Sequence, residues 1–329
     1  MRRREVLGLG LAALSAPLVT PGPAGAQAKY PERPIRLVIP FPPGGVNDAI
    51  GRPWADKMKP LLGTVVIENM GGAGGAVGAL AVARAQPDGY TLLLGSGGTQ
   101  VIIPIASSQP QYDPVKAFET ISLLGITAVC IAVHPSVPVQ TLQELIAYAK
   151  ANPGKLSYGS AGSGTMTHLT GELFKVLSGT PDIVHIPYRG AGPALTDAIS
   201  GHIPMITPNV TGQVIELNKT GKLRILAVTT ATRVAAAPDI PTAIEAGLPN
   251  MISQNFVALF APAGTPKPII EQIAQASRAG LSDSELQQMF HAAAFEPRPD
   301  SGPEHVRRFL DDEIARWSPI IKSINLKLD

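Results

Sequence analysis

The sequence predicts an α/β protein, and three observations carry that prediction. Short apolar runs alternate with segments of helical spacing along nearly the whole chain, as in parallel sheet built from βαβ units. Four of the runs end in turns of Gly, Ser or Pro that lead straight into a helix. Of the 329 residues, 45% are hydrophobic, which suffices for a large core and usually means two domains at this length.

The elements follow in order. Leu37-Val38-Ile39 reads as a strand buried on both faces. Pro40, Pro42 and Pro43 stop it, Gly44-Gly45 turns the chain, and Asn47-Asp48 opens a helix over Ala49–Leu62, strained at Gly51, Pro53 and Pro60. Thr64–Glu68 is the next strand, followed by the glycine-rich 69–78 stretch and an Ala-rich helix through Ala85. Tyr90–Leu94 is a strand that ends in Ser96-Gly97-Gly98-Thr99. Phe118–Val133 carries strands, and Thr141–Ala151 is a helix with Leu142, Leu145, Ile146 and Ala149 on one face. Leu156–Gly159, then the turn 160–165, opens the helix Met166–Leu177. Ile183–Pro187, then 188–193, opens Ala194–Ser200. Strands Ile203–Thr207, Leu223–Thr229 and Phe256–Ala261 follow. Helices are expected at Pro268–Leu281 and Ser284–Ala293, and a last amphipathic one at Pro303–Ile324 that breaks near Pro319.

Residues 1–28 read as an export signal. Arg2, Arg3 and Arg4 precede an apolar segment too short to span a bilayer, and Ala24, Ala26 and Ala28 give A-x-A cleavage spacings. The arginines fit a general secretory and a twin-arginine route equally well. These residues hold three Arg and one Glu, a net +2, which equals the +2 of the whole chain, so the mature protein is formally neutral. Neither nucleic acid nor an anionic membrane is implied as a partner. Cys130 is the only cysteine and lies in an apolar run, which reads as a buried small hydrophobe rather than a nucleophile.

The chemistry is carried by the turns. A strand end, a turn bare of side chains and a helix start aim unpaired N–H groups and a positive dipole end at one point, which is a seat for an anion. A single such turn is ordinary; four of one kind are a pattern. The residues expected to meet a ligand are Phe41, Gly44, Gly45, Asn47 and Asp48 on the first turn, and Ser96 and Gly97 on the second. Ser160, Gly162, Ser163, Gly164 and Thr165 belong to the third, and Tyr188, Arg189, Gly190 and Ala191 to the fourth. Asp48 serves equally as a first-turn dipole partner. Tyr188 offers a ring wall and a hydroxyl, and Arg189 a bidentate partner for a carboxylate or a solvated lip.

Other chemistries find little support. Gly72-x-Gly74 lacks the third glycine of a dinucleotide fingerprint because Val77 stands there, and no phosphate-loop motif occurs. No serine has glycine at both −2 and +2, and HExxH and paired CxxC spacings are absent, so a hydrolase is disfavoured. His168 and Glu172 share a helix face but lack further ligands for a metal. No cofactor is expected.

YPERPIRLVIPFPPGGVNDAIGR (30–52), VIENMGGAGGAVGALAVARAQPDGYTLLLGS (66–96), YGSAGSGTMTHLTGELF (158–174), IPYRGAGPALTDAISGHI (186–203) and FVALFAPAGTPKPII (256–270) resemble the solute receptors of tripartite tricarboxylate transporters, the Bug or TctC family. The resemblance runs in order over essentially all of the mature chain. Val46-Asn47 departs from the small or hydroxyl pair expected before Asp48. The resemblance implies a type II periplasmic binding protein fold, with two lobes that each hold a mostly parallel sheet flanked by helices. Crossings fall at Cys130–Pro135 and near Gln254–Phe260, giving lobe one as 29–131 plus 256–329 and lobe two as 132–255. Implied too are a periplasmic location, a monomeric receptor and the membrane permease subunits of such a transporter as partner. The ligand is expected to be a small di- or tricarboxylate, or an aromatic carboxylate, held largely through main chain and water. A ligand sensor feeding a signalling partner would share the fold.

Overall fold

The computed structural model describes residues 30–328; the expected export signal lies outside the described residues. Strand β1 (Ile35–Ile39) leads through α1 (Val46–Leu62), β2 (Val65–Asn69), α2 (Ala76–Ala83) and β3 (Thr91–Ser96) to α3 (Ile103–Ala106) and the long β4 (Phe118–Ala128). The chain continues through β5 (Cys130–Val133), α4 (Leu142–Ala151), β6 (Ser157–Ser160), α5 (Met166–Ser178), β7 (Val184–Pro187) and α6 (Ala191–Ile199). Next come β8 (Met205–Ile206), α7 (Gly212–Lys219) and β9 (Arg224–Val228). It returns along β10 (Gln254–Pro262) and closes with α8 (Lys267–Leu281), α9 (Ser284–Ala292), β11 (Phe295–Pro297) and α10 (Pro303–Ser323).

Two sheets result. One has six strands in the order β11-β4-β10-β3-β1-β2, the other five in the order β7-β6-β8-β5-β9. Parallel pairs form where a helix returns the chain, as in β1 with β2 and β3, and β6 with β7 and β8. Every antiparallel pair involves β4, β10 or β5, the strands beside the passages between sheets, so the sheets are mixed rather than parallel throughout. The outward passage is a single residue, Val129, between β4 in the first sheet and β5 in the second. The return is the segment between β9 and β10.

Helix α1 forms unbroken despite its prolines, because Ile50, Trp54, Met58 and Leu62 recur every four residues and are all buried. Burial of each contributes about 2 kcal/mol, which outweighs the backbone bonds that Pro53 and Pro60 remove. Gly51 is needed for this close approach: a Cβ there would lie 2.8 Å from the side chains of Ile39 and Leu94. The same reasoning explains α10, which does not break at Pro319. Val306, Leu310, Trp317 and Ile321 hold its buried stripe together on both sides of the proline. Helices α3 and α7 and the edge strand β11 are not apparent in the sequence pattern; each is short.

One apolar core spans both sheets, joining Val38, Leu93 and Phe260 to Leu145, Leu169 and Met205 through Val101, Ile102 and Phe256. Cys130 is fully buried, and burial pushes its thiol well above the ordinary range. The two lobes touch. The side chain of Met166 lies where a Cβ on Gly97 would go, at 2.7 Å, and the Gly164 carbonyl lies 3.0 Å from the corresponding point on Gly98. Gly74 backs directly onto the carbonyl of Ser163.

Candidate functional site

Between the lobes lies a cleft pocket with an empty volume of about 620 Å³, its open mouth included. The first lobe supplies Phe41, Pro42, Pro43, Gly45, Val46 and Asn47, with Ser96 and Asn255 behind them. The second supplies Ala161, Thr165, Met166 and Thr167, the run Arg189–Pro193, and Asn209. Three helix starts therefore meet at one pocket: α1, α5 and α6.

Each start leaves first-turn amides free. In α1 the first helical bond is donated by Ala49 to Gly45 at 3.0 Å, so Val46 and Asn47 have no carbonyl behind their N–H groups. Gly45 caps this helix with no side chain over them. Helix α6 starts the same way behind Gly190, leaving the amides of Ala191 and Gly192. In α5 the Thr165 hydroxyl takes the His168 N–H at 3.3 Å, and the amides of Met166 and Thr167 stay free. The dipole end of each helix favours an anion by about 0.3–1 kcal/mol. Among the described residues Arg189 is the only charged side chain on the lining. It is exposed and, among the described residues, has no ion-pair partner.

The expected contacts divide into two groups. Phe41, Gly45, Asn47, Ser96, Thr165, Arg189, Gly190 and Ala191 line the pocket. Gly44, Asp48, Gly97, Ser160, Gly162, Ser163, Gly164 and Tyr188 stand behind it. The Asp48 carboxylate accepts from the Gly44 N–H at 3.1 Å, from Arg52 Nε and Nη2 at 2.9 Å each, and from Asn69 Nδ2 at 3.1 Å. Burial alone would push its pKa up. The hydrogen bonds from Arg52, Gly44 and Asn69 outweigh that and hold it below the ordinary carboxylate value. It fastens the first turn.

The third turn is fastened without charge. Ala161 N–H donates to Thr167 Oγ1 at 3.0 Å, Gly162 N–H to Ser160 Oγ at 3.1 Å, and Gly164 N–H to His168 Nδ1 at 3.3 Å. Those amides are thus occupied within the turn, while Ser163 and Gly164 form the rim against the other lobe. Beneath the turn, His185 stacks on His168 with ring centroids 3.9 Å apart and on Tyr158 at 4.8 Å, and its Nε2 lies 2.7 Å from Ser160 Oγ. Burial, then the charge of Lys175, pushes His168 down to about 4. Burial, then His168, pushes His185 down to about 3. Glu172 is spoken for by the Tyr158 hydroxyl at 2.8 Å and by Lys175 at 3.0 Å. Tyr188 turns from the pocket to donate its hydroxyl to Asp197 at 2.7 Å, and its pKa is pushed up to about 12, first by burial and then by that carboxylate.

Sequence reasoning missed Thr167, Asn209 and Asn255. Asn255 stands just before the strand expected from Phe256, and β10 takes it in together with Gln254. Asn209 forms an isolated bridge to Val129 after a two-residue strand, and nothing local marks it.

The comparisons with known proteins follow from this geometry. A family model described as "Tripartite tricarboxylate transporter family receptor" matches residues 50–326. Protein BugT of Bordetella pertussis is 33% identical over 302 residues, covering 91% of each chain. Among solved structures, MatC from Rhodopseudomonas palustris with bound malate is 30% identical with a TM-score of 0.84, covering 89% of this chain and 100% of that one. The R. palustris protein Rpa4515 with adipate is 31% identical with a TM-score of 0.85, covering 91% and 99%.

Proposed function

The chain belongs to the tripartite tricarboxylate transporter receptor family, whose members are periplasmic solute-binding proteins, and on that premise we propose that its cleft captures a small dicarboxylate for the membrane permease of such a transporter. One carboxylate sits on the amides of Val46 and Asn47, the other on the first turns of α5 and α6. The family is one of receptors rather than of enzymes. Among the described residues no helix is long and apolar enough to cross a membrane. We assign lobe one to the chain before Val129 and from β10 onward, and lobe two to the stretch between, with the crossings acting as a hinge.

The observation that carries this reading is the convergence of free first-turn amides from both lobes on a pocket lined by no acidic side chain. Malate and adipate, bound by relatives at 30% and 31% identity, are both dicarboxylates and fit that arrangement. A tricarboxylate or an aromatic carboxylate is the wider class. Calorimetry on the mature protein with mono-, di- and tricarboxylates of graded length tests it. A dicarboxylate should bind at least tenfold tighter than the monocarboxylate of equal length, since the latter leaves one seat empty. Gly45→Val is the sharper probe of the main-chain seat. Gly45 has φ −83° and its Cβ would meet only the Pro42 carbonyl, at 3.8 Å, so valine is accommodated while it shades the amides. It should cost more affinity than Arg189→Ala; the reverse order would mean that the guanidinium, not the backbone, holds the ligand.

A further inference from the structure

Two pocket-lining carboxamides, Asn209 and Asn255, have a buried Oδ1 with no hydrogen-bond partner among the described residues. Such an atom costs about 1–3 kcal/mol in a folded protein unless something supplies a donor. Their positions are complementary. Asn255 lies on β10 opposite Thr127 and is 5% exposed, carried by the first lobe. Asn209 bridges Val129 and is carried by the second. Both line the pocket beside the passage between the sheets.

Resting on the dicarboxylate reading above, we infer that Asn209 and Asn255 select a ligand with a hydroxyl group between its two carboxylates, so that this receptor prefers a hydroxy-dicarboxylate to the plain one. The carboxylates cannot serve these oxygens, because an ionised carboxylate only accepts. A hydroxyl donates to one Oδ1 and still accepts from a neighbouring donor. It also remains suited if either carboxamide presents its NH2 instead, since it does both. An ammonium group would donate as well, but it needs a counter-charge. The pocket lining offers Arg189 and no carboxylate, and the nearby Asp48 is saturated by Arg52, Asn69 and Gly44. A buried cation facing neutral acceptors alone is disfavoured. The site is therefore neutral-polar at the two carboxamides and anion-seeking at the helix starts.

The test is calorimetry on the mature protein with matched pairs: 2-hydroxy and unsubstituted dicarboxylates of four, five and six carbons, with the 2-amino analogue of the best length. The hydroxylated member of the best-binding pair should bind roughly tenfold tighter, and the amino analogue weaker than both. Asn255→Ala and Asn209→Ala, with folding checked by circular dichroism, should each shrink that ratio toward one, whatever happens to the absolute affinity for the pair. Equal binding of the pair by the unaltered protein overturns the inference and leaves the dicarboxylate reading intact. So does a ratio that survives both substitutions. If no dicarboxylate of any length binds, the dicarboxylate reading itself falls, and this inference with it.

Discussion

The turn that opens α1 and the turn that opens α5 do the same job with opposite materials. Each must hold a glycine-rich loop still while leaving first-turn amides free. On the first lobe the loop is tied by an ionised carboxylate, Asp48, with Arg52 and Asn69 around it. On the second it is tied by neutral hydroxyls and imidazoles: Ser160, Thr165, Thr167, His168 and His185. The difference teaches that a loop can be held rigid either by an ionised carboxylate or by neutral groups alone. A carboxylate can stand directly behind a helix start lined with free amides provided its charge is already consumed. The two fastenings should also fail differently, the one on loss of a single residue and the other on a change of pH.

Asp48→Ala should have the largest effect on stability, about 2 kcal/mol by urea denaturation, because it leaves the Gly44 N–H and Arg52 without their acceptor. The half-exposed guanidinium can turn to water, which keeps the figure from being larger. A loss no greater than that from Thr167→Ala would erase the contrast between the turns. Gly98→Val comes next. With the Gly164 carbonyl only 3.0 Å from its added Cβ, the variant should fold with unchanged stability but close poorly, at a cost of about 1.5 kcal/mol, roughly tenfold, in affinity for the best dicarboxylate. Small-angle scattering should show its radius of gyration staying at the ligand-free value; ordinary closure would mean the lobes meet elsewhere.

The pH profile separates the two fastenings. His168 and His185 fall to about 4 and 3 in the folded protein from 6.5, so the unfolded chain binds more protons in between. Stability should therefore be complete above about pH 6.5 and fall as pH drops below it, by several kcal/mol by pH 4, the part-exposed His185 contributing less than its shift alone implies. Asp48, held below its ordinary 3.8, keeps its contribution throughout that window and loses it only at lower pH. His185→Gln should flatten the slope between pH 4 and 6.5, and a slope unchanged by it would place the acid sensitivity outside the stack. The smallest effect is Thr167→Ala, about 0.5–1 kcal/mol in urea, from freeing the part-buried Ala161 N–H. That loss should not change with salt, whereas the Asp48→Ala loss should shrink by a few tenths in 1 M salt.

Much of this arrangement was legible in the chain. Strand, bare turn and helix start are local patterns, and Leu37–Asp48 and Gly159–Thr165 state them in the residues themselves. Which face of each turn meets the pocket was not legible, because that depends on what packs behind. Asp48 and Tyr188 are chemically apt for ligand contact, and only their partners Arg52, Asn69 and Asp197, distant or a turn away, show them facing elsewhere. Ser160 is withdrawn in the same way by His185, 25 residues on.

The sequence by itself determined the alternation of strands and helices, the positions of the glycine-rich turns and the apolar stripes, since each follows from spacing within a few residues. It also determined that Pro40, Pro42 and Pro43 end a strand, because proline's constraint travels with the residue. The tertiary structure alone decided that three helix starts share one pocket and that Asn209 and Asn255 line it with them. It also decided that α10 passes through Pro319 unbroken. Those outcomes depend on contacts between residues far apart in the chain, where burial shared by two elements outweighs the preference of either one alone.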